Sequence, residues 1–142
     1  MLTIENLQKS FTIHHLNKTF TALNELSLHV NEGGFLGIVG KSGSGKSTIL
    51  KSIYRTYEPQ GGAIYFDSAA FGRIDLLKAS PRDIVYLRKH EIGYVSQFLN
   101  VMPRTTAIEL VTQSLLDVGV PQDEAIVQAE AALRHFDLDE KL

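Results

Sequence analysis

The chain has 142 residues, 44% of them apolar and 21% charged, with a formal net charge of −2. This composition fits one soluble globular domain, or part of a larger one, with no general attraction to nucleic acid or to an anionic membrane. The sequence has no cysteine and no apolar run long enough to span a bilayer, which excludes disulfides, thiol catalysis, Cys-based zinc sites and a transmembrane helix.

The opening "MLTIENLQKSF" carries Glu5 early and does not read as a signal peptide, so a cytoplasmic setting is expected. Residues 2–7 alternate apolar and polar as a half-buried strand does, and "ALNELSLHV" (22–30) repeats the pattern with Leu26, Leu28 and Val30 on one face. "NEGG" (31–34) is turn chemistry. The continuous apolar run "FLGIVG" (35–40) predicts a fully buried strand. A helix is expected from near Lys46, burying Ile49, Leu50 and Ile53, and "PQGG" (59–62) breaks it. "AIYF" (63–66) and the stretch from Ile74 to Leu77 predict a further pair of strands. Pro81 opens a short helix over 81–89, and "IGYVS" (92–96) predicts another strand.

The pattern then turns helical. Thr106 and Glu109 have the spacing of a capping box, and Ile108, Val111, Leu115 and Val118 follow at helical intervals until Gly119. A second helix is expected from near Pro121, with Ile126, Ala129, Leu133 and Phe136 on its apolar face.

Between the run at 35–40 and the first helix lies "GKSGSGKS" (40–47), which fits G-x-x-x-x-G-K-[ST] in full. The glycines let backbone N–H groups curl round an anion, and the following helix adds the positive end of its dipole. Lys46 is placed to meet terminal phosphates as a point charge, and the Ser47 hydroxyl to ligate Mg²⁺. Lys41 adds positive charge nearby. The alternative, an ordinary Gly/Ser turn, does not account for the strand-loop-helix context. A GTPase would need N-K-x-D, and "NKTF" (17–20) lacks the Asp. Small P-loop kinases usually open on the strand before the loop, whereas 34 residues precede the run here.

The opening "LTIENLQKSF", the "LNELSLHVNEGG" strand and turn, the glycine-rich loop and then "IGYVSQ" follow in the order of the ATP-binding cassette (ABC) nucleotide-binding domain, which the chain resembles throughout. "LRKHEIGYVSQFLNVMPRTTAIELV" and "LLDVGVP" further resemble the ATP-binding protein of the bacterial carbon–phosphorus lyase system for phosphonate use. Lipoprotein-export cassettes share a similar stretch after the same strand, so the ATP-binding subunit of a membrane transporter is the alternative.

The resemblance implies an α/β P-loop fold of ABC type. It comprises a mixed sheet with a parallel core, an antiparallel side sheet, the loop helix and the start of a helical subdomain, with the nucleotide-binding core over 1–97 and the helical part over 98–142. It implies ATP and Mg²⁺ as ligands. By position, ATP would meet Phe11, Gly40, Lys41, Ser42, Gly43, Ser44, Gly45, Lys46, Ser47, Thr48 and Gln97, and Mg²⁺ would meet Ser47 and Gln97. Phe11 would stack on adenine, with Phe20 as the other candidate and core packing as the ordinary reading. "FLNVMP" (98–103) would face a partner subunit or pack within the helical part, and Gly34 stands where the family commonly has Glu.

Implied partners are a second cassette and either lyase subunits or a membrane subunit, with a location in the cytoplasm or at the inner membrane's face. The family's signature segment, its apolar strand ending in Asp-Glu and its later His have no counterpart here. Asp67 follows "AIYF" too soon after the loop, and Asp139 and Glu140 follow a run that Asp137 interrupts. The five histidines are scattered and expected to be solvated or structural. The expectation is therefore the first part of a cassette, able to bind ATP, with no catalytic residue of its own.

Overall fold

A computed structural model describes residues 1–96 and 104–138. They form two compact units, Met1–Tyr94 and Val95–Leu142.

The first unit is built on a four-stranded antiparallel sheet. Its strands are β1 (Leu2–Ile13), β2 (Lys18–Val30), β3 (Gly61–Ser68) and β4 (Gly72–Asp75), in the order β2-β1-β3-β4. β1 and β2 make one long hairpin, paired from Leu2↔Val30 to Ile13↔Lys18 and closed by a short 3₁₀ turn at His14–Leu16. The strands run well beyond the alternating stretch because a bulge resets the register. Asn6 adopts φ +48 and pairing shifts between Ile4 and Leu7, so both side chains turn inward although they are three positions apart. The Ser27 hydroxyl accepts from the Asn6 N–H at 2.9 Å and satisfies the donor that the bulge frees.

β4 starts two residues earlier than the apolar pattern suggests. Ser68 pairs directly with Gly72, and the Asp75 carboxylate accepts from the N–H groups of Ile64 and Leu77, so the strand ends there and Leu76 drops into the core. Two helices join this unit. α1 (Lys46–Ile53) follows the glycine-rich loop, and α2 (Pro81–His90) opens with a Ser80–Asp83 capping box and Pro81 in its first turn. Ile4, Leu7, Leu23, Ile49, Ile64, Leu76, Ile84 and Leu87 form the buried cluster. Ile49, Ser52 and Ile53 make the stripe that α1 turns inward; Leu50, expected in the core, sits about 100° round the helix from Ile49 and is exposed.

The expected α/β architecture stands, but its parallel part does not form among the described residues. Among the described residues, 35–40 and 92–95 are not part of a strand. Phe35 is 95% exposed, Val39 92% and Val95 89%. A parallel strand needs neighbours brought by crossover connections, and no described strand pairs with either stretch, although Ile38 and Ile92 still pack against the buried cluster.

The second unit is a helical hairpin of α3 (Ala107–Asp117) and α4 (Gln122–His135), turned at Gly119 with φ +93. The capping box is present: the Thr106 hydroxyl accepts from the Glu109 N–H at 3.3 Å, and the Glu109 carboxylate accepts from the Thr106 N–H at 2.8 Å. The buried face of α4 is Ala125, Ala129 and Leu133. Ile126 and Phe136, expected on that face, are exposed, because the i, i+4, i+8 row runs one residue away from them. Val118 lies just past the end of α3 and is exposed too. No described helix is long and apolar enough to cross a membrane.

Candidate phosphate-binding site

The turn 31–34 reverses the chain after β2, with Gly34 N–H donating to Asn31 O at 3.0 Å. Residues 40–47 then curl into the first turn of α1. Gly45 caps that helix at φ +90, a conformation that strains any side chain. A Cβ on Gly45 would lie 2.5 Å from Ala22 O and 3.2 Å from Leu23 Cδ2, so the loop is pressed against β2 at this point. A Cβ on Gly40 would lie 2.8 Å from Ser44 Oγ. The loop is therefore wound as tightly as glycine allows, and the strand behind it holds it there.

Lys46 lies inside the curl. Its ammonium donates to Gly40 O at 2.8 Å and to Lys41 O at 2.7 Å, with Ser44 Oγ at 3.5 Å. The loop also closes on itself through Ser44 N–H to Lys41 O at 3.2 Å. The loop carbonyls thus hold the ammonium that the motif places inside. Ser47 is exposed on the first turn of α1, and Ser42 and Gly43 form the exposed crest of the loop. Thr48 O accepts from the buried Ser52 hydroxyl at 2.7 Å, which ties that turn to the core. The residues present fit a phosphate chain and, at Ser47, one ligand of a Mg²⁺ ion. Gln97, the other expected ligand, lies outside the described residues, as do "FLNVMP" (98–103), Asp139 and Glu140.

Phe11 does not stand free. It pairs across the hairpin with Phe20, their rings stacked at 5.4 Å, and Tyr57 meets it edge-on at 5.1 Å. Lys9 Nζ lies 4.9 Å from the Phe11 ring centre, and Lys51 of α1 lies 5.2 Å from that of Tyr57. Phe20 is 50% exposed, so the aromatic group open to a ligand includes both candidates named from the sequence. Sequence reading missed the part of Tyr57, because nothing local marks a residue past a helix end as a strand neighbour.

Of the histidines, His29 bonds Thr3 Oγ1 at 2.9 Å and Asn31 Oδ1 at 2.8 Å. Asp67 lies exposed on the antiparallel strand β3. Among the described residues no three His, Asp or Glu side chains converge as metal ligands would. A groove of about 390 Å³ between α3 and α4 is lined by Ile108, Leu116 and Ile126 with Thr112, Gln113, Gln122 and Glu109, whose carboxylate is engaged in the α3 capping box.

Comparison with known proteins agrees with this geometry. The profile of the family described as "ABC transporter" matches residues 23–142. The lipoprotein-releasing system ATP-binding protein LolD of Hyphomonas neptunium is 33% identical over 130 residues, which are 92% of this chain and 55% of the relative. An uncharacterized ABC transporter ATP-binding protein of Bacillus subtilis, YvrO, is 32% identical over the whole chain and 59% of its own length. The chain thus spans a little over half the length of these curated relatives. The structure of the ATP-binding cassette MJ0796, dimeric and bound to ADP and Pi, matches with a TM-score of 0.81 at 28% identity, covering 96% of this chain and 57% of that one.

Proposed function

Because the chain belongs to the ABC transporter ATP-binding cassette family, we propose that it binds ATP·Mg²⁺ at its glycine-rich loop as part of the ATP-binding subunit of a membrane transporter. The observation that carries this reading is Lys46, held at 2.8 and 2.7 Å by the carbonyls of Gly40 and Lys41 at the mouth of α1. In this reading the loop N–H groups of residues 41–48 receive the phosphates and Lys46 turns from the carbonyls to the terminal phosphate oxygens. The adenine lies on the Phe11–Phe20–Tyr57 group. Ser47 and Gln97 would hold Mg²⁺, which would supply positive charge to the bound phosphates.

The lipoprotein-releasing and other transporter relatives favour the transporter reading over phosphonate breakdown, which no relative described above supports. The dimeric cassette bound to ADP and Pi supports pairing with a second cassette. We take the Met1–Tyr94 unit as part of the nucleotide-binding core and the α3–α4 hairpin as part of the helical subdomain, with the assembly carried at the inner face of the membrane by its partner.

The loop residues would provide grip and metal coordination, and among the described residues no carboxylate stands at the loop to orient an attacking water. Phosphate release by the 142-residue chain should therefore stay near background, since loss of one positioned catalytic group costs about a hundredfold or more. Titration calorimetry with ATP, with Mg²⁺ and with EDTA, tests the binding reading: saturable binding strengthened by Mg²⁺ is expected, and no heat of binding in either buffer would refute it. The neighbouring genes test the coupled process. A membrane subunit beside this gene is expected, and phosphonate-lyase subunits in its place would overturn the transporter assignment.

A further inference from the structure

Near the far end of α1 the fold forms an open pocket of about 250 Å³, lined by Arg55, Glu58, Ala79, Pro81, Ile84, Val85 and Arg88. Two guanidiniums and one carboxylate line it, so its charge is positive. Arg88 is fixed: its Nε donates to Tyr54 O at 2.8 Å, and its guanidinium lies 4.6 Å from the centre of the Tyr54 ring. Tyr94 stacks on Tyr54 at 5.0 Å, which stiffens that ring in turn. Among the described residues no hydrogen bond is seen from the terminal nitrogens of Arg88. Arg55 is held in the left-handed region at φ +60, two residues past the helix, and its side chain is only 15% exposed. Its Nε is buried and has no hydrogen-bond partner among the described residues. Glu58, the one acid present, is 81% exposed and stands 3.6 Å from Arg55, beyond good hydrogen-bond reach.

The unbonded Nε is itself shielded, so an anion in the pocket would meet the outer edge of the Arg55 guanidinium, which Glu58 approaches only at 3.6 Å. One Arg fork satisfies a carboxylate, whereas two forks converging on one small pocket suit an anion with three or more equivalent oxygens. We propose that this pocket is a second oxyanion site, separate from the glycine-rich loop, that takes a tetrahedral phosphate group. The two sites lie at opposite ends of the eight-residue α1, roughly 12 Å apart at 1.5 Å per residue, so one ligand phosphate cannot serve both.

The test is a phosphate titration of the full chain carrying Lys46→Ala, followed through the arginine Nε–Hε resonances by NMR at constant ionic strength. The Arg55 and Arg88 resonances should move together along one saturating curve, while that of Arg73, on β4, stays still. Arg55→Gln should weaken phosphate binding about tenfold or more, the effect of a lost charge-assisted hydrogen bond, and Arg73→Gln should leave it unchanged. Methyl phosphate in a parallel titration identifies the source. It should move the same pair of resonances if the site takes the phosphoryl group of a metabolite, and leave them still if it takes the free anion. Resonances of Arg55 and Arg88 that do not respond to inorganic phosphate would overturn the proposal without any change at either arginine. Acetate binding as tightly as phosphate would overturn it as well.

Discussion

Strand β3 and the run at 35–40 are made of similar apolar residues and end in opposite environments. Ile64 is wholly buried between β1 and β4, with its N–H bonded to Asp75 and its carbonyl to Leu76, whereas Phe35 and Val39 stand almost wholly in solvent. The difference is one of neighbours. β3 gets one partner across a three-residue turn, from Ser68 to Gly72, and the other from the hairpin that precedes it. The run at 35–40 is a strand only where parallel neighbours flank it, and hydrophobicity alone does not supply them. The glycine-rich loop begins where that run ends, yet it keeps its shape because Gly45 is pressed on β2 and Ile49 is anchored in the buried cluster.

The largest expected effect sharpens this contrast. Ile64→Ala should destabilise the chain by about 2–5 kcal/mol, the cost of a cavity in a packed core, whereas Phe35→Ser should change stability by less than about 0.5 kcal/mol. Urea unfolding measures both, and equal losses would mean that Phe35 is buried in solution. A smaller loss is expected in the other unit. Thr106→Ala removes an N-cap and should cost α3 about 0.5–2 kcal/mol. That loss should be visible as reduced helical circular dichroism with ATP binding unchanged; a weakened ATP titration would tie the cap to the site.

The smallest effect concerns Glu91, which closes the β3–β4 turn by accepting from Ser68 Oγ at 2.9 Å, Ala69 N at 3.0 Å and Ala70 N at 3.3 Å. Burial pushes its carboxyl up, but the three hydrogen bonds and the nearby His90 outweigh that and hold it below its usual 4.5. A lowered folded pKa gives stability that is present above the unfolded pKa and lost as pH falls through the folded one. From about pH 5 to pH 3 the urea midpoint should therefore fall more in the parent chain than in Glu91→Gln. Parallel pH curves would break the assignment.

The wound glycine-rich loop and the capping box at Thr106 were legible from the sequence because each depends on residues at most seven positions apart. Residues 2–7 and 22–30 of the hairpin were legible from alternation; the rest of its strands and the bulge were not, because Asn6 in the left-handed region shifts the register and leaves no periodic mark. The box at Ser80 escaped notice because its third residue is Asp83 where the pattern has Glu or Gln. The aromatic group and the two-arginine pocket join residues 33 to 46 positions apart, such as Arg55 with Arg88 and Phe11 with Tyr57, which only the folded chain brings together. The burial expected for 35–40 failed for the converse reason, since an apolar run states what a segment tolerates and its neighbours decide what it gets.

The central claim is that the glycine-rich loop grips ATP through Lys46, and calorimetric titration of the parent chain and Lys46→Ala with ATP·Mg²⁺ tests it most directly. The substitution should cost about 1.5–3 kcal/mol of binding free energy, or roughly 10- to 150-fold in Kd, with an unchanged urea midpoint. Equal affinity in the two proteins would contradict it.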